Sequence, residues 1–393
     1  MPVFVAYMTQ TDIEADFKRI LEELQAYKQK DCSFIKGHIL GSMCTAPHQI
    51  AKKAYDMFLD SNLGDPRLFS GSKKIEQNYL DFIGKMLHGP QGHSGQVVSG
   101  GTEGNITAIW LARRRSEGNN IIVPASAHFS FQKIASLMGL KIKSIPLTQD
   151  YVMDIEVLKE NINKKTVAVV GIAGSTELGA VDPIEEISQL CIDNEVFCHV
   201  DAAFGGFVLP FLKELNYPIP QWDFQLPGVS SISVDAHKMG YAAIPLGLLM
   251  VRESKWWSNV GVKALCIDEK IQTSLLGTRS AGPVAAGYAV ARLLGFEGYK
   301  KVIEGCMQTT FHLKRRIEQI GLELVMKPTM NVAGIKVKDV DATVDALAKQ
   351  GWFVNRISHL SCIRLVMMPH VTIEVIDEFV DVLEKCVGGE KGR

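Results

Sequence analysis

The spacing of apolar residues changes character along the chain. Between residues 95 and 251 short aliphatic runs recur: "GQVVSGG", "NNIIVPASAHFS", "KIKSIPL", "TVAVVGIAG", "VFCHVDAAFGG", "SSISVDAHK" and "LGLLMVR". The segments between them repeat their apolar positions at helical spacing. Such runs alternating with helices predict βαβ units in a mostly parallel sheet buried on both faces, with polar residues collecting at the carboxyl ends of the strands. The N-terminal stretch soon becomes an amphipathic helix bearing Ile20, Leu21 and Leu24; the turn-rich "GHILGSMCTAPHQ" then leads into a helical stretch through Phe58. Beyond "LLGTRSAG" a long helix is predicted over residues 282–320. After it come "LELVMKP", "VAGIKVK", a helix from Ala342 to Gln350, "FVNRI", "CIRLVMM" and a last helix from Thr372, the pattern of a small α+β domain. The expected division is an N-terminal helical segment (1–55), a large α/β domain (56–285) and a small C-terminal α+β domain (286–393).

Composition narrows the function classes. The 42 Lys and Arg nearly cancel the 43 Asp and Glu over 393 residues, which gives no electrostatic bias toward nucleic acid or an anionic membrane. The longest apolar stretch, Tyr241 to Val251, is broken by a proline and a glycine and is about half of what a spanning helix requires. No basic segment precedes a hydrophobic core at the N-terminus, so a cytoplasmic protein is expected. The 8 cysteines include no CxxC pair, which signals neither a zinc site nor a disulfide framework, and no metal is expected.

The strand ends carry the chemistry. In "VVSGGTEGNITAIWLARRR" a strand passes through a glycine turn into a helix, so the backbone N–H groups of Gly100, Gly101 and Thr102, with the Ser99 and Thr102 hydroxyls, form a phosphate cradle at a helix N-terminus. The turn is neither a Walker loop nor a GxGxxG fingerprint, which disfavours ATP or NAD. His128 follows the next strand, and Ser175 and Thr176 follow "VAVVGIAG"; Asp182, before Pro183, reads as a helix N-cap. Asp201 ends an apolar strand and needs a cationic or hydrogen-bonding partner, while Lys238 lies just past the next strand. An ammonium ion is poorly placed there unless it has a task. Together these groups are what pyridoxal phosphate requires: a lysine to form the Schiff base, a carboxylate to keep the ring nitrogen protonated, an imidazole to stack on the ring and a glycine turn for the 5′-phosphate.

The motifs "VSGGTEGN", "AHFSFQK", "GSTELGAVDPIEEI", "HVDAAFGGFVLPF", "DAHKMG", "LGTR" and "IRLVMMPH" occur in order over nearly the whole chain. With them the sequence resembles the group II pyridoxal-phosphate-dependent amino-acid decarboxylases of fold type I, and most closely their archaeal members acting on L-tyrosine or L-aspartate. The resemblance implies the aspartate-aminotransferase-like fold and formation of tyramine or β-alanine, feeding methanofuran or coenzyme A synthesis. It also implies an obligate homodimer with the active site at the subunit interface. Carried over by position, Lys238 is the Schiff-base lysine, Asp201 the partner of the ring nitrogen and His128 the stacking base. Thr176 lies near the ring 3-oxygen, Ala203 against the ring face and His237 beside the phosphate, while Gly277 and Thr278 reach the partner's phosphate. His48 and Arg364 are candidates for the substrate carboxylate. One departure stands out: the family's loop tyrosine, which protonates the carbanion, is missing from "WWSNVGVKALCIDEKIQTSLLGTR", and Cys266 falls at about its place. Proton delivery then passes to Cys266, Tyr241 or a histidine near the ring, or the reaction partitions differently. Two other readings share the features: a phospho-sphingoid-type carbon–carbon lyase, which also has the glycine turn and a D-x-HK lysine, and a Rossmann-like nucleotide-binding module, which gives no reason for Asp201 and Lys238. An aminotransferase is disfavoured by the histidine immediately before the lysine.

Overall fold

The computed structural model describes residues 10–265 and 271–388. Seven strands form the large sheet: β1 Ser94–Val98, β2 Asn120–Pro124, β3 Lys141–Ile145, β4 Thr166–Ile172, β5 Phe197–Asp201, β6 Val229–Asp235 and β7 Gly247–Val251. Their order is β1-β7-β6-β5-β4-β2-β3, and β7 alone runs against the others. Every residue of β4, β5, β6 and β7 is buried, as expected of strands that are apolar on both sides.

The helices in chain order are α1 Gln10–Lys28, α2 Gln49–Met57, α3 Ser70–Met86, α4 Gly101–Arg113, α5 Ser130–Met138, α6 Ile155–Asn161, α7 Ile184–Asp193, α8 Leu209–Glu214 and α9 Gly282–Gln319. Two apolar clusters, one containing Ile184, Phe207 and Tyr299 and the other Ala108, Ile134 and Val170, accompany the sheet. Helix α9 carries Pro283 in its first turn, where the missing N–H costs nothing, and breaks at Gly295, where the backbone turns to φ 56°. A third cluster lies in the C-terminal region, where β10 Val332–Lys336, β11 Asn355–Ile357 and β12 Cys362–Val366 pair in the order β10-β12-β11 beside α10 Val340–Lys349 and α11 Ile373–Gly388. The N-terminal segment is stitched to this small sheet by the Leu40 N–H to the Phe353 carbonyl (2.9 Å) and the Val366 N–H to the Leu40 carbonyl (2.7 Å).

Two local expectations are corrected. "LELVMKP" is not a strand of its own; it joins β10 through the Val325 N–H to Gly334 and the Lys336 N–H to Glu323, and Pro328, which cannot donate, follows at once. Asp182 does not cap α7: its buried carboxylate accepts from the Met153 and Ile172 N–H groups, each at 2.8 Å, and burial raises its pKa to about 6. It ties the loop after β3 to the end of β4.

A polar chain also crosses the buried interior. His199 in β5 donates through Nε2 to the Asn105 side-chain oxygen (2.9 Å), and its Nδ1 accepts from Ser231 (2.8 Å). Burial lowers the His199 pKa to about 4, so the ring is neutral in the fold. As pH falls from 6.5 to about 4, the unfolded chain takes up a proton that the folded chain excludes, and stability declines across that window. The contribution is about 3 kcal/mol. Urea denaturation across this range should show His199→Asn with a correspondingly shallower loss than the parent protein; an unchanged pH slope contradicts the account.

Candidate active site

Parallel strands bring their carboxyl ends to one edge, and the loops there enclose a cavity of about 360 Å³. Its wall takes residues 99–103 and Asn105 from the β1–α4 junction, His128 after β2, Thr176 after β4, Asp201 and Ala203 from the end of β5, and Asp235, His237 and Lys238 from the end of β6. Asp201 and Lys238 therefore share one cavity, because β5 and β6 are adjacent and parallel, with Asp201 opposite Ser233.

The cradle is set by α4, whose N-cap is Gly100. Glu103 in the first turn folds back to accept the N–H of Ser99, the residue before the N-cap, at 2.6 Å, which holds the turn. The N–H groups that follow are left for an anion.

Asp201 is 6 % exposed and well supplied with donors: Asn105 Nδ2 at 2.8 Å on one oxygen and the Ala203 N–H at 3.0 Å on the other. The Asn105 amide is saturated. Its nitrogen also donates to Ser130 (3.2 Å), and its oxygen accepts from His199 and from Ser233 (2.8 Å). Four bonds fix which way the amide points, and with it the face that Asp201 turns to the cavity.

His128 accepts the Ser130 N–H at Nδ1 (3.2 Å). Burial pushes its imidazole below the ordinary range, with the Asp201 charge pulling the other way. His237 Nδ1 lies 2.8 Å from the Leu246 carbonyl oxygen and 3.2 Å from the Leu246 nitrogen, and with the ring held there its Nε2 faces Asp235 Oδ2 at 3.8 Å. Lys238 Nζ lies 3.1 Å from the same oxygen.

Other expected residues stand elsewhere. His48 caps α2, its Nδ1 accepting the Ile50 N–H (3.2 Å), and meets Tyr241 edge-on at 6.2 Å. Arg364 is 3 % exposed and donates to the Thr176 carbonyl (2.6 Å) and the Gly41 carbonyl; burial lowers its pKa to about 10. It braces Thr176 from behind and does not line the cavity. Gly277 and Thr278 are exposed, away from their own chain's cavity wall. Cys266 lies outside the described residues. Conversely, Asp235, Asn105 and His199 were not singled out from the sequence, although each stands inside a quoted motif: "DAHK", "GGTEGN" and "HVDAA". The available signal was a polar side chain embedded in an apolar run. Among the described residues no three His, Cys, Asp or Glu side chains group to hold a metal ion, and no helix is long and apolar enough to cross a membrane.

Pyridoxal 5′-phosphate fits these residues: an anion cradle at a helix end, a donor-fed carboxylate, an imidazole and a lysine converge on one cavity. Comparison with known proteins agrees. The pyridoxal-dependent decarboxylase conserved domain matches residues 71–338. The probable L-tyrosine/L-aspartate decarboxylase of Methanococcus aeolicus is 41% identical over 384 residues, covering 94% of this chain and 98% of its own. The probable L-aspartate decarboxylase of Archaeoglobus fulgidus is 42% identical over 370 residues, covering 94% and 99%. Among solved structures, the sphingosine-1-phosphate lyase of Burkholderia pseudomallei superposes with a TM-score of 0.88 at 28% identity, over 94% of this chain and 90% of that one. The chain belongs to the pyridoxal-dependent decarboxylase family and is a pyridoxal-phosphate-dependent carboxy-lyase.

Proposed function

We propose that this carboxy-lyase acts on L-tyrosine, L-aspartate or both, forming tyramine or β-alanine, with Lys238 as the anchor of the cofactor. The convergence of Lys238, Asp201, His128 and the α4 cradle on one cavity carries the site assignment, and the substrates named for the archaeal relatives carry the choice of amino acid. Bound pyridoxal 5′-phosphate supplies the electron sink for the pair released when the bond from Cα to the carboxylate breaks. Asp201 would keep a proton on the ring nitrogen, since the Asn105 and Ala203 donors leave it acceptor capacity toward the cavity. Of the residues lining that cavity, His128 and Ala203 would cover the two faces of the ring, and the N–H groups of Gly100, Gly101 and Thr102 would take the phosphate with His237 beside it. Thr176, whose carbonyl accepts from Arg364, would stand near the ring 3-oxygen.

Segment 41–48 runs from Arg364, through the Gly41 carbonyl, past Cys44, which feels the charges of Lys238 and Asp235, to His48, whose N–H meets the Tyr241 carbonyl at 3.0 Å. That path supports placing recognition of the substrate carboxylate between Arg364 and His48. Proton return to Cα falls to Cys266, Tyr241 or a cavity histidine; burial raises the Tyr241 pKa, which suits a donor that stays protonated.

A second copy of this chain completes the site in this reading. Phe17, Ile20, Leu21, Leu24 and Tyr27 on α1 are all exposed, as are Leu275 and Leu276 beside Gly277 and Thr278. The latter segment has a firm base, because Arg279 pairs with buried Glu76 at 2.7 Å. The described cysteines are free thiols, in keeping with a reducing cytoplasm.

Carbon dioxide release measured separately with L-tyrosine and L-aspartate should identify the substrate; release from neither overturns the assignment. The likeness to the sphingosine-1-phosphate lyase favours a second reading, in which a phosphorylated amino alcohol is cleaved to an aldehyde without carbon dioxide. Lys238→Ala should lower turnover by about a thousandfold or more. The same variant should lose the borohydride-fixed cofactor adduct, and an adduct of unchanged yield removes Lys238 from the anchor role.

A further inference from the structure

One carboxylate of the cavity has so far no task. Asp235 is 3 % exposed; its Oδ2 lies 3.1 Å from Lys238 Nζ and 3.8 Å from His237 Nε2, while its Oδ1 is buried with no hydrogen-bond partner among the described residues. Leaving half of a buried carboxylate without a donor is costly. The surroundings nevertheless make room for it. A Cβ on Gly101 would come within 3.1 Å of Oδ2, and one on Gly247 within 2.7 Å of Oδ1. Gly101 is also part of the cradle, so a phosphate held there lies against Asp235, and two anions then share one small space.

We propose that a phosphate monoester entering the cradle drives one proton from Lys238 to Asp235, freeing the amine at the moment the cofactor's aldehyde arrives with it. The inference rests on Lys238 being the anchor. In the step an N–H bond of the ammonium breaks and an O–H bond forms on Asp235 Oδ2, with no charge entering or leaving the site. The neutral acid no longer opposes the phosphate, and Oδ1 becomes a carbonyl oxygen, which is cheaper to bury unpaired than part of an anion. The amine now has the lone pair that attacks the aldehyde carbon, and the condensation releases water.

The other groups facing this pair are accounted for. Glu103 is held by the Ser99 N–H and Asp201 by Asn105 and Ala203. His128 and Cys44 feel the charges of both Lys238 and Asp235 without a hydrogen bond to either. His237, at 3.8 Å, is farther from the shared oxygen than Lys238. Asp235 is thus a positioning residue that acts through Lys238.

The sign of the effect separates this from plain electrostatics, since an anion beside an ammonium ordinarily stabilises it and slows its condensation. Cofactor-free protein is mixed with 5′-deoxypyridoxal, which has the aldehyde and lacks the phosphate, and imine absorbance is followed with and without inorganic phosphate at constant ionic strength. Phosphate should accelerate condensation about tenfold in the parent protein, equivalent to one unit of proton affinity moved between the two groups. In Asp235→Asn phosphate should slow it. No effect or slowing in the parent protein overturns the proposal whether or not the variant folds, and so does equal acceleration in the variant. Borohydride trapping of pyridoxal 5′-phosphate locates the adduct: one absent from Lys238 removes the anchor assignment and this inference together, whereas one present without phosphate acceleration removes this inference alone.

Discussion

A carboxylate kept almost dry, yet never short of donors, is the constraint around which the large domain is arranged. Asp201 ends a strand buried along its whole length and is itself almost fully buried, so water reaches it little. It relies on Asn105 and the Ala203 main chain, and Asn105 relies on His199, Ser233 and Ser130. Any unsatisfied member of such a chain would cost as much as the chain contributes, which is why each atom of the Asn105 amide is used. The neutral state of His199 belongs to the same requirement, since the cost of burying a charged ring there outweighs the pull of the Asp201 carboxylate.

Helix α4 gives this network its reach. Its first residues make the anion cradle, and Asn105, one turn further, props Asp201. The two ends of the proposed cofactor, phosphate and ring nitrogen, are therefore referred to one rigid element, and the distance between them is set by helical rise and not by loop conformation. The strand pairing Asp235–Gly247 and Val98–Gly247 brings the β6 end under the same cradle from the opposite side. Lys238 enters from there.

Much of this was legible in the sequence. Runs of apolar residues too short for helices marked every strand of the large sheet, and a glycine turn, an aspartate and a lysine at successive strand ends located the cavity. What escaped were groups whose meaning depends on contacts across the fold. Asn105 touches Asp201 from 96 positions away and Ser233 from 128, and nothing periodic announces such a pair. Asp235 looked like the start of a motif centred on its neighbours, because a carboxylate three residues before a lysine is unremarkable on a surface turn and consequential only when both are buried. Arg364 has a second role that its place in an apolar strand does not announce: it donates to two backbone carbonyls and so braces Thr176 from behind. Asp182 misled through Pro183, which imitates a helix start while the carboxylate serves two distant backbone donors.

The charge inventory of the cavity explains why the helix end matters so much. Among the described residues of its wall, Lys238 is the only lysine or arginine, facing the carboxylates of Glu103, Asp201 and Asp235. A phosphate cannot be held there by a surplus of cations. It must be held by N–H groups whose donors point the right way without bringing net charge, assisted by about half a unit of positive charge from the α4 dipole. Glu103 would spoil that field if it faced the cradle, and its turn back onto the Ser99 N–H removes it. A site poor in cations has a further consequence. The proton that Lys238 and Asp235 share at 3.1 Å is where an arriving phosphate bears first, and the proposed shift of that proton relieves the repulsion at Asp235 without changing the net charge of the wall.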